Sequence, residues 1–433
     1  MNRLLQDSTL FQGRPSDTRI GEITGISRDD FTKEYEQGMP SRALNYNIKK
    51  KAIQEDSFPN NNHSDKPLIN LEYFDQANSN MFTDIAELEQ TTKLNGITNI
   101  FNDYTWYLYT GFLSSYPKKD FLISPYFVMN FFSFMYIGAK NKTAIEIKNH
   151  FNLPDKTNIF ESIEANNKII NQTIDNLNLL LLNTKVSPNR RFMENNKTIM
   201  NLVSYDKNNI TNDLNKINYI LKSRIIKPEY LINNNLMYII NLNYKPEFDL
   251  DFNNSLVSNF FNDDNEERKQ EYIVSRQKKK CDYYTDQDVE ILELKMKDNQ
   301  VSMGIIISKG NRKLQISNDQ ITRYIDKLMD MTFDYVIIPK YTKTYKFRYN
   351  GILKEAGLSE IFKSTDCPDF ITERVPVDDI IQQITISITN NNNNRISENS
   401  INSRDRIFLA NCPYIYYFRL LQTNTIVLVG QYS

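Results

Sequence analysis

Few residues in this chain could do covalent or acid–base chemistry. Cysteine occurs three times, at Cys281, Cys367 and Cys412, and histidine twice, at His63 and His150. The cysteines form no CxxC pair and no zinc spacing, so they read as reduced thiols, and no metal or other cofactor is expected. His63 lies in a polar stretch; His150 lies at a predicted helix end, a solvated or core-edge position. No GxSxG, HExxH or P-loop spacing is present, so an enzyme is not expected. Lys278, Lys279 and Lys280 beside Arg276 make a basic run that reads either as a polyanion site or as a solvated loop. Lys49 to Lys51 could form a targeting patch.

The elements that must position these residues are bounded by size and charge. A chain of 433 residues holds one large domain or two to three ordinary ones. A formal net charge of −1 gives no global basic field, so neither nucleic acid nor a membrane surface is an expected partner. No apolar run approaches the roughly 18 residues of a membrane span. The opening MNRLLQDSTLFQGRPSD has no apolar h-region, so no secretory signal is expected and an intracellular, reducing compartment is favoured. The Asn, Ile, Lys and Tyr bias looks like AT-rich coding. It makes chance sequons at Asn62, Asn141, Asn171, Asn196, Asn209 and Asn253, read as unused.

Residues 1–94 are polar and breaker-rich and read as a disordered N-terminal extension, a tail or a partner arm. An ordered domain is expected over 95–433. Helical spacing appears at Ile100, Tyr104, Tyr107 and Leu108. Residues 127–135 are apolar nearly all round, which predicts a buried helix. Gly138 is expected to end it in the left-handed conformation, and Thr143 with Glu146 to form a capping box for the next. Strands are expected at 177–182, 236–244, 289–296, 301–308, 335–338, 380–388, 414–421 and 426–429. Helices come early and strands late, an α+β order.

Several short motifs, in order, carry a family resemblance. Ile123-Ser124-Pro125 opens the buried helix, and Gly138-Ala139-Lys140 followed by Thr143-Ala144 leaves it. Residues 241–248 read NLNYKPEF, residues 339–341 Pro-Lys-Tyr, and residues 352–362 ILKEAGLSEIF. Phe408-Leu409-Ala410-Asn411-Cys412-Pro413-Tyr414 and a late Gly430 complete the series. From about residue 95 onward the chain resembles the serpins, with Phe248 where the family carries Trp. The resemblance implies three β-sheets with eight or nine helices and an exposed reactive loop, here within 389–411. It also implies a suicide-substrate inhibitor of serine endopeptidases; with the composition, it fits a viral or parasite source, a large DNA virus among them. Extracellular placement is common in the family.

In an inhibitory serpin the cleaved loop becomes a new central strand. Here the hinge is Thr389, Asn390, Asn391, Asn392, Asn393 and Asn394, where the family uses Glu-Glu-Gly-Thr and small residues. Asn is a poor strand residue. One register buries Asn392, Asn394, Ile396 and Glu398, the other Asn391, Asn393, Arg395 and Ser397, so each buries a charge. Ser124 and Asn241 match the shutter positions; Phe127 replaces a second Ser, and Ile381 is aligned with the family's His. The bait residue is expected at Arg404 or Arg406, which would make a trypsin-like serine protease the partner. The alternative is a non-inhibitory serpin-fold binding or structural protein. Oligomeric state is not readable.

Overall fold

The computed structural model describes residues 96–264, 266–309, 317–390, 394–402 and 404–433. The extension 1–94 and hinge residues Asn391, Asn392 and Asn393 lie outside the described residues. The described helices are α1 (residues 96–115), α2 (Pro125–Gly138), α3 (Asn141–Phe151), α4 (Lys156–Thr173) and α5 (Arg190–Asn195). They continue with α6 (Ile210–Ile220), α7 (Pro228–Asn233), α8 (Asn318–Asp326) and α9 (Asn350–Glu355).

Three sheets carry the strands. The first, here the seam sheet, has the order β12 (Tyr341–Arg348), β13 (Asp379–Ile388), β4 (Leu236–Tyr244), β2 (Asp175–Asn183) and β3 (Asn201–Tyr205). The second, the loop sheet, runs β14 (Asn394–Arg395), β5 (Asn254–Phe261), β6 (Glu267–Ser275), β11 (Tyr335–Pro339), β15 (Ile407–Leu409). The third is antiparallel with seven strands: β1 (Phe121–Ile123), β17 (Ile426–Tyr432), β16 (Tyr414–Leu420), β9 (Val301–Ser308), β8 (Val289–Lys295), β7 (Lys280–Thr285), β10 (Met329–Thr332). The α+β expectation with three sheets is met.

Helix α2 sits at the centre. All its residues but Ile137 are buried. Pro125 in its first turn lacks the N–H that would be unpaired there. The Gly138 expectation fails: the helix ends at Ala139 with φ −81°, and Gly138 has no positive φ. Glycine is needed there for room, since a Cβ would meet Phe370 Cβ at 3.0 Å and Phe192 Cζ at 3.1 Å. The capping box on α3 is also absent. Thr143 Oγ1 instead accepts from Asp366 N, and Glu146 accepts from the backbone N–H groups of Ser359, Glu360 and Ile361. Both side chains bind a distant segment rather than their own helix, which local sequence cannot reveal.

In the seven-stranded sheet, Glu293 and Arg419 form a fully formed buried ion pair at 2.5 Å. Tyr417 donates to the same carboxylate at 2.9 Å. Gly304 faces the Tyr417 ring, and a Cβ there would lie inside it. Strand β17 is enclosed between β1 and β16, and β16 between β17 and β9.

Candidate functional site

The site is built on a seam in the seam sheet. Strands β13 and β4 are parallel neighbours, paired over eight residues from Asp379↔Met237 to Ile386↔Tyr244. A chain that leaves β13 at Ile388 and turns back must run antiparallel to both. Among the described strands of this sheet, the seam is therefore the place where a returning loop would gain an antiparallel ladder on each side. Its inner face carries Tyr238, Ile240, Leu242, Ile380 and Ile384 into the main core. On the outer face Met237, Ile239 and Ile381 pack with Ile217 of α6 and with Leu221 just after it.

Two adjacent glutamines of β13 make polar contacts at the seam, one on each face. Gln382 is fully buried on the inner face. Its Oε1 accepts from Ser124 N at 2.8 Å and from Tyr349 Oη at 2.7 Å, and its Nε2 donates to Leu122 O at 3.2 Å. Ser124 Oγ donates to Val427 O at 2.8 Å. On the outer face Asn241 Nδ2 donates to Leu221 O at 2.9 Å, while Gln383 Nε2 donates to Ser223 Oγ at 2.6 Å. Ser124 and Asn241 are thus not brought together; they lie on opposite faces, each tied to its own glutamine. Ile381 packs outward in the cluster beneath α6, and Gln382 is the inward polar residue. A one-residue slip along a strand changes the face. Counting inward residues back from Ile384 would have found Gln382.

Beyond the seam the chain enters the loop. Thr389 and Asn390 are half-buried and Asn394 is exposed. Asn394 and Arg395 pair in parallel with Asn254 and Ser255, and Ile396 N donates to Ser255 O at 2.9 Å. Ile396 and Ile401 pack against the apolar face of Leu256, Tyr272, Val274, Tyr335 and Ile337. Tyr335 Oη donates to Ser400 O at 3.3 Å.

The two arginines differ. Arg404 is exposed, in a turn closed by Asp405 N to Asn402 O at 3.0 Å and by Asn402 N to Asp405 Oδ2 at 2.8 Å. The Arg406 side chain is also exposed, but its backbone is fastened. Its N–H donates to Asp334 Oδ2 at 2.8 Å, and its carbonyl accepts from Asp334 N at 2.8 Å. The Arg406 N–H and then Lys278 hold the Asp334 carboxyl below the usual range.

The other candidates resolve simply. Lys278, Lys279 and Lys280 pair with Asp334, Asp249 and Asp330, and Arg276 lies over the Tyr335 ring. The run is locally neutralised, as a solvated loop would be. His150 packs edge-on against Phe151 and Tyr104, and burial lowers its proton affinity. Burial pushes the Cys281 thiol up to about 11 and Cys367 to about 12, and raises Cys412, so none is a ready thiolate. Among the described residues no group of three or more His, Cys, Asp or Glu gathers as a metal site.

A family model described as "Serpin (serine protease inhibitor)" matches residues 99–433. The chain belongs to the serpin family. This serpin is 25% identical over 304 residues to an uncharacterized serpin-like protein of Acanthamoeba polyphaga mimivirus, covering 61% of this chain and 73% of the relative. It is 23% identical over 360 residues to an uncharacterized serpin-like protein of Methanosarcina acetivorans, covering 74% and 82%. Among solved structures it is similar to native protease nexin-1 with heparin, with TM-score 0.69, 16% identity and coverage of 78% of this chain and 99% of the other. Maspin gives TM-score 0.68, 15% identity and coverage of 79% and 99%. These likenesses establish the serpin fold, and a viral relative stands among them.

Proposed function

We propose that this serpin is a bait-type inhibitor of a trypsin-like serine endopeptidase, with Arg404 offered to the enzyme's acidic S1 pocket. The observation that carries this reading is the closed seam. Strands β4 and β13 pair directly while the loop that follows β13 stands outside them. That is the arrangement from which a cleaved loop can gain free energy by entering. Arg404 is favoured over Arg406 because a protease takes its substrate as an added strand, and Arg406 is already committed to Asp334.

The chemistry would run as follows. The protease serine attacks the Arg404 carbonyl, the Arg404–Asp405 peptide bond breaks, and the acyl ester forms on Arg404. Asp405 keeps the new amine and stays beside β15, which remains paired with β11. The segment up to Arg404, released at one end, turns back from Ile388 and inserts into the seam. One ladder between β4 and β13 becomes two antiparallel ladders, which favours insertion. Burying the hinge amides without partners opposes it by very roughly 1–3 kcal/mol each.

A second reading is a non-inhibitory serpin-fold binding protein. The Asn hinge and the Gln383 contacts across the seam favour it. Incubation with trypsin separates the two. Inhibition predicts a complex stable in SDS, lost in Arg404→Ala and kept in Arg406→Ala. Cleavage without any such complex would sink the inhibitory reading and leave the second.

A further inference from the structure

The loop has two places to pair, and it cannot use both. Only residues 389–393 lie between Ile388 and Asn394, a reach of roughly 20 Å fully extended. A returning strand that fills the eight-pair seam needs about eight residues beyond a tight turn; after a two-residue turn these are residues 391–398, which include Asn394 to Glu398. The same residues are now held on the edge of β5. Asn394 and Arg395 extend the loop sheet in parallel, and Ile396 N is bonded to Ser255 O. Ile396 and Ile401 bury part of their surface against Leu256, Tyr272, Val274, Tyr335 and Ile337. A 3₁₀ turn, Glu398–Ser400, lets both isoleucines reach that face, and Tyr335 Oη bonds Ser400 O across it. These contacts lie next to the turn that carries Arg404.

We propose that residues 394–401 are an autoinhibitory latch: the loop docks in cis on the β5 edge, and this docking restrains Arg404 and withholds the seam-filling segment until it is released. The proposal rests on the bait reading for its purpose, but the docking is tested separately. A protease that needs an extended stretch before Arg404 must first detach Ile401 and then Ile396. Cleavage then tracks the small population of released loop.

The test uses full-length protein and trypsin, with nicking after Arg404 counted by mass spectrometry of intact and cleaved chains. Covalent complexes are counted as cleaved. The double variant Ile396→Ser, Ile401→Ser removes the anchors and should be nicked about tenfold faster, with the melting temperature of the uncut chain little changed. The pair Asn254→Cys, Asn394→Cys faces across the β5–β14 register. Oxidation should slow its nicking about tenfold and reduction should restore the rate. Unchanged rates in both variants would overturn the latch, as would a wild-type rate that falls with rising protein concentration, which signals docking in trans. Latch effects without any SDS-stable complex would overturn inhibition alone.

Discussion

Gln383 Nε2 lies 3.4 Å from Asn241 Oδ1 across the parallel seam, and 2.6 Å from Ser223 Oγ in the chain just beyond α6. The amide therefore joins both seam strands to the segment that covers them. Gln383→Ala removes both contacts and leaves Asn241 its bond to Leu221 O. The expected loss is about 1–2 kcal/mol in urea unfolding of the intact chain, since a net hydrogen bond contributes about 1 kcal/mol. A loss below a few tenths of a kcal/mol would show that the outer amides do not hold the seam.

Cleavage after Arg404 should raise the melting temperature of this serpin. On the proposed bait mechanism the cut frees the loop to add a strand between β4 and β13, and the gain is read by calorimetry on intact and nicked protein side by side. Equal melting temperatures would mean that the loop stays outside the sheet.

Glu146→Ala should destabilise the fold by about 2 kcal/mol. Its carboxylate accepts from three consecutive backbone N–H groups, at 2.7 Å from Ser359, 2.8 Å from Glu360 and 3.0 Å from Ile361. Bonds to a charged acceptor are stronger than neutral ones, and the substitution leaves partly buried donors unpaired. Chemical denaturation of the variant gives the figure directly; a neutral result would mean that water replaces the carboxylate at no cost.

Gly304→Ala should prevent stable folding. The added methyl occupies the Tyr417 ring position, and moving that ring disrupts the Glu293–Arg419 pair. An uncompensated buried charge costs about 3–5 kcal/mol, of the order of a whole domain's stability. Soluble, cooperatively melting Gly304→Ala protein would contradict this.

Stability should fall on the acid side of neutrality, in part through His150. Burial lowers its folded-state pKa, so the unfolded chain takes up the proton first. The contribution is complete above the unfolded value of about 6.5 and is lost as pH drops through it toward the folded value. His150→Leu should lose less stability than wild type between about pH 7.5 and about pH 5.5. Parallel losses would assign the acid limb to other groups.

What local sequence conveys in this chain depends on how far each side chain reaches. Strands β4 and β9 are legible to the residue, because their alternation and apolar content are properties of contiguous segments. The α2 core is legible from Phe127, Phe131 and Phe134 for the same reason. Local sequence misplaces Gly138, Thr143 and Glu146, because each serves a segment more than 200 residues away. At the site, Ser124 and Asn241 are visible in sequence, but Gln382, Gln383 and Tyr349 are not. Their roles depend on which face of the sheet each presents and on partners far away in sequence, which local pattern does not convey. Asp334 gives no sequence signal; only the fold brings it beneath Arg406.

Strands β16 and β17 also bear on how the chain is made. They are synthesised after β1, β8 and β9, yet they are the strands that join β1 to β9. While the ribosome is still translating, β1 has no neighbour and β9 exposes one unpaired edge together with Ile305 and its companions. The nascent chain must carry that open edge for about 100 residues of elongation, or some 5–20 seconds at ordinary rates. Chains stalled or cut before residue 414 would retain it, and an exposed apolar edge invites pairing with another chain. Premature termination in this protein is therefore a hazard to its neighbours as well as a loss of product.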